Sequence, residues 1–213
     1  SIIVAAARVE AALAEGTLDA LCRGDVNVDW GESALACDSL WIEGVPTKKG
    51  RDGDEEKDEA QRQIGAEAAH VRGEGNVVFR RDELVARCGS FRFDRSLDIL
   101  ELFPAEGQEV EIAFGDSATI WGERVIINEV ARQAVCTTPR AVLWVRESLM
   151  GFREQRGDSE RASGERTRVD LSAGNALTIK QPDEESAVLE FTGGVEVTQW
   201  DLRSPMANRL ACE

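Results

Sequence analysis

The stretch Gly75-Asn76-Val77-Val78-Phe79-Arg80-Arg81-Asp82-Glu83-Leu84-Val85-Ala86-Arg87-Cys88-Gly89-Ser90-Phe91-Arg92-Phe93-Asp94 decides the reading of this chain. Apolar residues alternate with polar ones at period two, and Gly, Asn and Asp punctuate the runs. Successive side chains of a strand point to opposite faces. Each run therefore has one apolar face and one solvated face, and the segment reads as strand, turn, strand rather than helix.

The same alternation extends in both directions. Upstream, Asp25-Val26-Asn27-Val28-Asp29-Trp30 sets Val26 and Val28 on one face; downstream, Glu109-Val110-Glu111-Ile112-Ala113-Phe114 and Val195-Glu196-Val197 do likewise. These patterns predict an all-β protein of stacked antiparallel strands, each about five residues long. Helix is expected only at the N-terminus or in loops. Val9 to Leu21, with apolar residues at Val9, Leu13 and Leu21 and many alanines between, is expected to be a short helix.

An internal repeat runs through the chain. Gly24-Asp25-Val26, Gly75-Asn76-Val77 and Gly193-Gly194-Val195 share a Gly, a small or polar residue, and a Val that opens a strand. One such unit cannot bury its own apolar face, whereas stacked units share a continuous core. Glycine at each repeat suits the positive φ of a tight turn. Two polar stretches, 46–65 and 154–167, are too hydrophilic to bury surface and read as loops. They divide the chain into blocks 1–45, 66–153 and 168–213, expected to stack as one elongated domain.

Composition narrows the function. The 213 residues are 42% hydrophobic, enough for a sizeable core, and carry a net charge of −15. Such acidity opposes nucleic-acid binding, which needs Lys and Arg to neutralise phosphate. The chain begins Ser1-Ile2-Ile3 without an initiating Met and reads as a fragment or a processed form. The five cysteines, Cys22, Cys37, Cys88, Cys136 and Cys212, form no CxxC pair. Most sit among apolar residues and read as buried thiols, although a Cys22–Cys37 or Cys37–Cys88 bridge is open in an oxidising compartment. No metal site is expected, since the single His70 has no Cys at ligand spacing. No nucleophile elbow, P-loop or dinucleotide fingerprint occurs, so no enzyme activity, catalytic residue or cofactor is expected.

With these residues in hand, the chain resembles the OstA/LptA-like domain of lipopolysaccharide transport. Gly75-Asn76-Val77, Leu84-Val85-Ala86-Arg87, Phe91-Arg92-Phe93-Asp94 and Ile120-Trp121-Gly122-Glu123-Arg124-Val125-Ile126-Ile127-Asn128 are similar to its successive strand motifs. Arg87 stands where that family often has Asp, and no Tyr occurs anywhere in the chain. The resemblance implies a β-jelly-roll bent like a taco around an apolar groove, in the periplasm or cell envelope. It implies a lipopolysaccharide-like lipid as ligand, and other β-jelly-roll modules as partners through edge-strand stacking. The groove residues expected from alternation are Val26, Val28, Val77, Phe79, Phe91, Phe93, Ile112, Phe114, Ile120, Val125, Ile127, Val195 and Val197, with Leu177 and Ile179 beside them. A filled core looks the same in sequence as an open groove. A β-solenoid scaffold, an enzyme built on a β-solenoid and a structural β-sandwich without ligand remain the alternatives.

Overall fold

The computed structural model describes residues 2–14, 17–46, 69–128, 130–145, 166–180, 188–200 and 207–212. Among them every regular element is a strand. In chain order these are β1 (Ile2–Ala5), β2 (Arg8–Ala14), β3 (Thr17–Trp30), β4 (Ser33–Pro46), β5 (His70–Arg81), β6 (Leu84–Asp94) and β7 (Ile99–Phe103). There follow β8 (Val110–Phe114), β9 (Ala118–Gly122), β10 (Arg124–Asn128), β11 (Gln133–Thr137) and β12 (Arg140–Val145). The last are β13 (Thr167–Ser172), β14 (Ala176–Lys180), β15 (Val188–Thr192), β16 (Val195–Trp200) and β17 (Ala207–Cys212). All join one antiparallel sheet of 17 strands.

The pairings divide that sheet into two wings along a seam. Strands β3 to β6 each cross the seam without ending. Arg23 pairs with Ser39 and Val26 with Cys37, so Gly24-Asp25 lies opposite Asp38 alone. Likewise Glu74 pairs with Ser90 and Val77 with Cys88, leaving Gly75-Asn76 opposite Gly89. These are β-bulges, two residues against one, which bend a strand and sharpen its twist. Their φ angles are positive, +77° and +47° at Gly24 and Asp25, +78° and +48° at Gly75 and Asn76. Gly, Asn and Asp are the residues that tolerate such backbone. The Asn76 amide also donates to the Asp38 carboxylate across the seam, at 3.0 Å.

Beyond the seam the wings take different neighbours. The first half of β6 pairs with β8 and its second half with β7. From there one wing, called A, continues β8, β9, β12, β13, β16, β17. The other, called B, continues β7, β10, β11, β14, β15. Short connections now carry the chain across the same seam, through Glu123, through Thr138-Pro139, through 173–175 and through Gly193-Gly194. Backbone hydrogen bonds tie these crossings in a row: Glu123 N–H to Thr137 O (3.1 Å), Thr138 N–H to Asn175 O (2.8 Å), Asn175 N–H to Thr192 O (3.1 Å). The N-terminal end splits in the same way, with β1 on wing A and β2 on wing B.

Three expectations change here. First, 9–21 is not helical. Arg8 to Ala14 pairs residue by residue with Thr17 to Arg23, Ala11 facing Ala20. The alanines favour helix locally, but the ladder to β3 satisfies every second backbone group and overrides propensity. Second, strands are not uniformly about five residues. Strands β3 and β4 have 14 each, β5 has 12 and β6 has 11, because a bulge bends them where a turn would have ended them. Third, two of the three Gly repeats are bulges within strands, and the third joins strands of different wings. All three nonetheless do one thing: each passes the chain from wing B to wing A, and Val26, Val77 and Val195 are the first inward residues after the crossing. The polar stretches 46–65 and 154–167 lie almost wholly outside the described residues.

The seam leaves little space for side chains. A Cβ on Gly89 would lie 2.6 Å from Ala105 Cα and 2.7 Å from the Pro104 carbonyl carbon. Backbone on another strand connection cannot rotate aside as a side-chain tip can. Gly89→Ala is therefore expected to destabilise by about 1–3 kcal/mol through overpacking. Gly107→Ala is a counterpart in open space, although its φ is +73°. Urea midpoints of the two variants check this; a Gly89 variant no less stable than the Gly107 one would show that the seam is loose.

Candidate functional site

The inner faces of the two wings supply one apolar cluster. Wing A contributes Val26, Cys37, Val77, Val110, Ile120 and Ala141, and wing B contributes Cys22, Leu40, Phe91, Leu102, Val125, Cys136 and Leu177. Since neither set could be buried by its own wing, the wings face each other across the cluster.

Burial falls with distance from the seam. On β8 the inward residues run Val110 (0% exposed), Ile112 (7%), then Phe114, which is half-buried. Next to the seam Val26 and Leu177 are wholly buried, and Val77 and Val125 nearly so. One step outward Phe79, Ile127 and Ile179 are half-buried while still packed against the cluster. The space between the wings is thus filled at its base and apolar but less covered toward its lips. Val169 departs from the trend: it is two steps out yet wholly buried, beside the nearly buried Gln199 with which it pairs.

All thirteen expected groove residues lie on these inner faces. Val26, Val77, Phe91 and Val125 form the base, and Val28, Ile112 and Ile120 are buried above it. Phe79, Phe114 and Ile127 pack on the cluster from farther out. Phe93 is half-buried, level with its partners Val71 and Leu100. Val195 and Val197 lie at the C-terminal end, where Val197 faces Leu171. Alternation did not single out Leu40, Leu102 or Val110. Leu102 stands in the run Leu100-Glu101-Leu102 and carries the same period-two signal. Leu40 sits one residue past a bulge, where the parity count resets.

On the outermost described strands the inward residues are exposed: Val4, Val9 and Leu13 by 40%, 59% and 68%, and Leu189 and Leu210 by 40% and 50%. Among the described residues β1, β2, β15 and β17 each pair with one strand.

The outer faces are polar and internally matched. Arg87, Glu111, Trp121 and Arg140 stand side by side on adjacent strands. Arg87 pairs with Glu111 at 2.5 Å, Trp121 Nε1 donates to Glu111 at 3.1 Å, and the Arg140 guanidinium lies 4.3 Å above the Trp121 ring. Arg140 also pairs with Glu109, and Arg124 with Glu101. Arg80 and Arg92 are exposed, and Glu109 and Glu111 are half-covered by their arginine partners. Such exposed pairs contribute little each and mark which face meets water.

The cysteines Cys22, Cys37, Cys88 and Cys136 line the seam as free thiols. Burial raises the Cys37 and Cys136 thiols to about 11 and Cys88 to about 12. In each case desolvation of the thiolate is the largest cause. These thiols are expected to resist alkylation at pH 8 in the native protein while exposed Cys212 reacts, as mass spectrometry after iodoacetamide would record. Because the folded values lie above that of a free thiol near 9, their contribution to stability is complete below pH 9. It is lost as pH rises from there toward 11–12, where the unfolded chain ionises first. Rapid labelling of Cys88 at pH 8 would show the seam opening.

No cluster of His, Cys, Asp or Glu among the described residues is arranged to hold a metal ion. Among the described residues no helix is long and apolar enough to cross a membrane. No protein-family model matches the chain. No curated protein matches it either. Among solved structures, the chain is similar to LptH from Pseudomonas aeruginosa, the LptA homologous periplasmic component of that organism's lipopolysaccharide transport device. The likeness has 14% identity and a TM-score of 0.43, and covers 75% of this chain and 91% of that one.

Proposed function

We propose that this protein holds the acyl part of a lipid between its wings, as a lipid-binding module of the cell envelope. One observation carries the reading: the inner faces remain apolar beyond the buried cluster, and Phe79, Phe114 and Ile127 pack on it while only partly buried. Here Phe79, Phe93, Phe114 and Ile127 extend past the closed base and are left half-covered. Acyl methylenes laid along them would be removed from water at about 0.8 kcal/mol each. The polar head of the lipid would stay at the lips.

The sequence resemblance to OstA/LptA-like domains supports a lipopolysaccharide-like ligand and a periplasmic setting. The exposed inward residues Val9, Leu13 and Leu210 on the outermost described strands support association with similar modules, edge strand on edge strand. The acidity of the chain sets a condition: with a net charge of −15, an anionic head group must remain solvated or be bridged by divalent cations.

A photoreactive fatty acid presented to the folded protein tests the proposal. Crosslinked peptides are expected from the outer inward rows, around Phe79, Phe114 and Ile127. An absence of crosslinks there removes lipid carriage and leaves a structural β-protein. That second reading has its own support, since the base around Val26, Val110 and Leu177 is fully packed.

A further inference from the structure

Four tryptophan side chains are described, and three have partners. Trp41 lies beneath the Arg72 guanidinium, at 4.6 Å. Trp121 donates to Glu111 and is capped by Arg140. Trp200 donates from Nε1 to Asp170 at 2.6 Å. Trp144 is different: among the described residues neither a hydrogen-bond acceptor for its indole N–H nor a cation over its ring is present. It is 37% exposed and lines a cleft of about 480 Å³ with Gly115, Asp116, Ala118, Thr119 and Arg166.

The cleft is built by three elements of wing A. Its floor is the β8–β9 turn. Trp144 projects from the end of β12, where its backbone N–H donates to Ser117 O at 2.8 Å. Arg166, just before β13, is held over the turn by a bond from Nη1 to Asp116 O at 3.2 Å. Ala141 faces the core, so Val142 and Trp144 alternate outward, as Thr119 does beside the inward Ile120. Trp144 and Thr119 therefore face the outer surface of the wing, while Ala118, also in the lining, shares the face of its partner Phe114 at the wing A lip.

We infer that this cleft binds a pyranose ring of a saccharide. Its lining combines one flat apolar side chain, Trp144, with an acidic residue, Asp116, a hydroxyl residue, Thr119, and a basic one, Arg166. A sugar ring matches that set: its C–H face is flat and apolar, and its hydroxyls both donate and accept. Asp116 accepts from hydroxyls, Arg166 donates to them, and Thr119 does either. An acyl chain would need apolar walls on several sides, and among the described residues the cleft has one. A nucleic acid would need several cations, whereas the described lining has one arginine and one aspartate. The volume falls within the range of small-molecule sites, about 300–1,000 Å³. None of Asp116, Thr119, Trp144 and Arg166 is among the inward residues of the trough, although the cleft adjoins Phe114 through Gly115 and Ala118.

The test is a titration of the full chain, ¹⁵N-labelled, with methyl glucoside, glucosamine and glucuronic acid in turn. The Trp144 indole cross-peak is assigned from its own backbone and by its loss in Trp144→Phe. At least one pyranose is expected to shift that peak saturably while the Trp121 and Trp200 peaks stay in place. Trp144→Leu is expected to weaken binding about tenfold, roughly the worth of one aromatic contact. Asp116→Asn should lower the preference for glucosamine, and Arg166→Gln that for glucuronic acid. The inference is overturned if no pyranose shifts the peak, if all three indole peaks shift together, or if only hexanol shifts it. Loss of acyl crosslinking between the wings would leave this result untouched, so the two readings fail separately.

Discussion

Val110→Glu is expected to unfold the protein. Val110 is wholly buried beside the seam, in the first inward position of β8. A carboxylate there enters the buried apolar cluster and finds no water. It must enter charged and unpaired, or be protonated at a cost that grows with pH. Either way several kcal/mol are lost, against a total stability of about 5–15 kcal/mol for a domain of ordinary size. Loss of the cooperative urea transition, followed by circular dichroism, is the readout. A folded Val110→Glu protein would mean that water reaches the base of the trough, and the seam would then not be a packed core.

Phe114→Glu, four residues along the same strand and on the same face, is expected to behave in the opposite way. Phe114 is half-buried near the wing A lip, and the strand ends with it. Its carboxylate can point out past Gly115 into water, so the fold should survive with a loss of about 1–3 kcal/mol from the missing aromatic packing. Acyl crosslinking, however, should fall severalfold, because a charge at the lip must be desolvated before a chain can pass over it. The position is decisive in a way that Ile112→Glu is not. At 7% exposure Ile112 is already in the closed part of the trough, and a charge there unfolds a groove protein and a filled sandwich alike. A Phe114→Glu variant that stays folded and crosslinks as well as the parent would place the lipid elsewhere or nowhere.

These two residues also show what alternation can and cannot tell. Glu109-Val110-Glu111-Ile112-Ala113-Phe114 declares the inward face of β8 without ambiguity, because a one-residue slip would bury two glutamates. It says nothing about depth. Val110, Ile112 and Phe114 are chemically alike in the sequence, yet only the second wing packing over them makes the first a sealed core position and the last a lip. The same holds for Val77 against Phe79 and for Val125 against Ile127. Depth depends on how the two wings pack, and the wings part at the bulges of β3 and β5, which the pairing of whole strands reveals.

The strand class, the inward residues and the recurrence of Gly-x-Val were determined by the sequence alone, since period-two patterning and glycine placement are local signals. The role of that recurrence was not. A Gly followed by Asp or Asn with positive φ serves equally in a hairpin turn and in a bulge, and only the partner strand decides between them. At Gly24-Asp25 and Gly75-Asn76 the partner strands run on past the site, so the chain bends instead of reversing. The N-terminal segment went the same way: its alanines favour a helix in isolation, and pairing with β3 made it a strand. The cleft at Trp144 was least legible of all. Asp116, Trp144 and Arg166 are far apart in the chain and belong to no motif, and only the antiparallel pairing of β12 with β9 and β13 brings them to one lip.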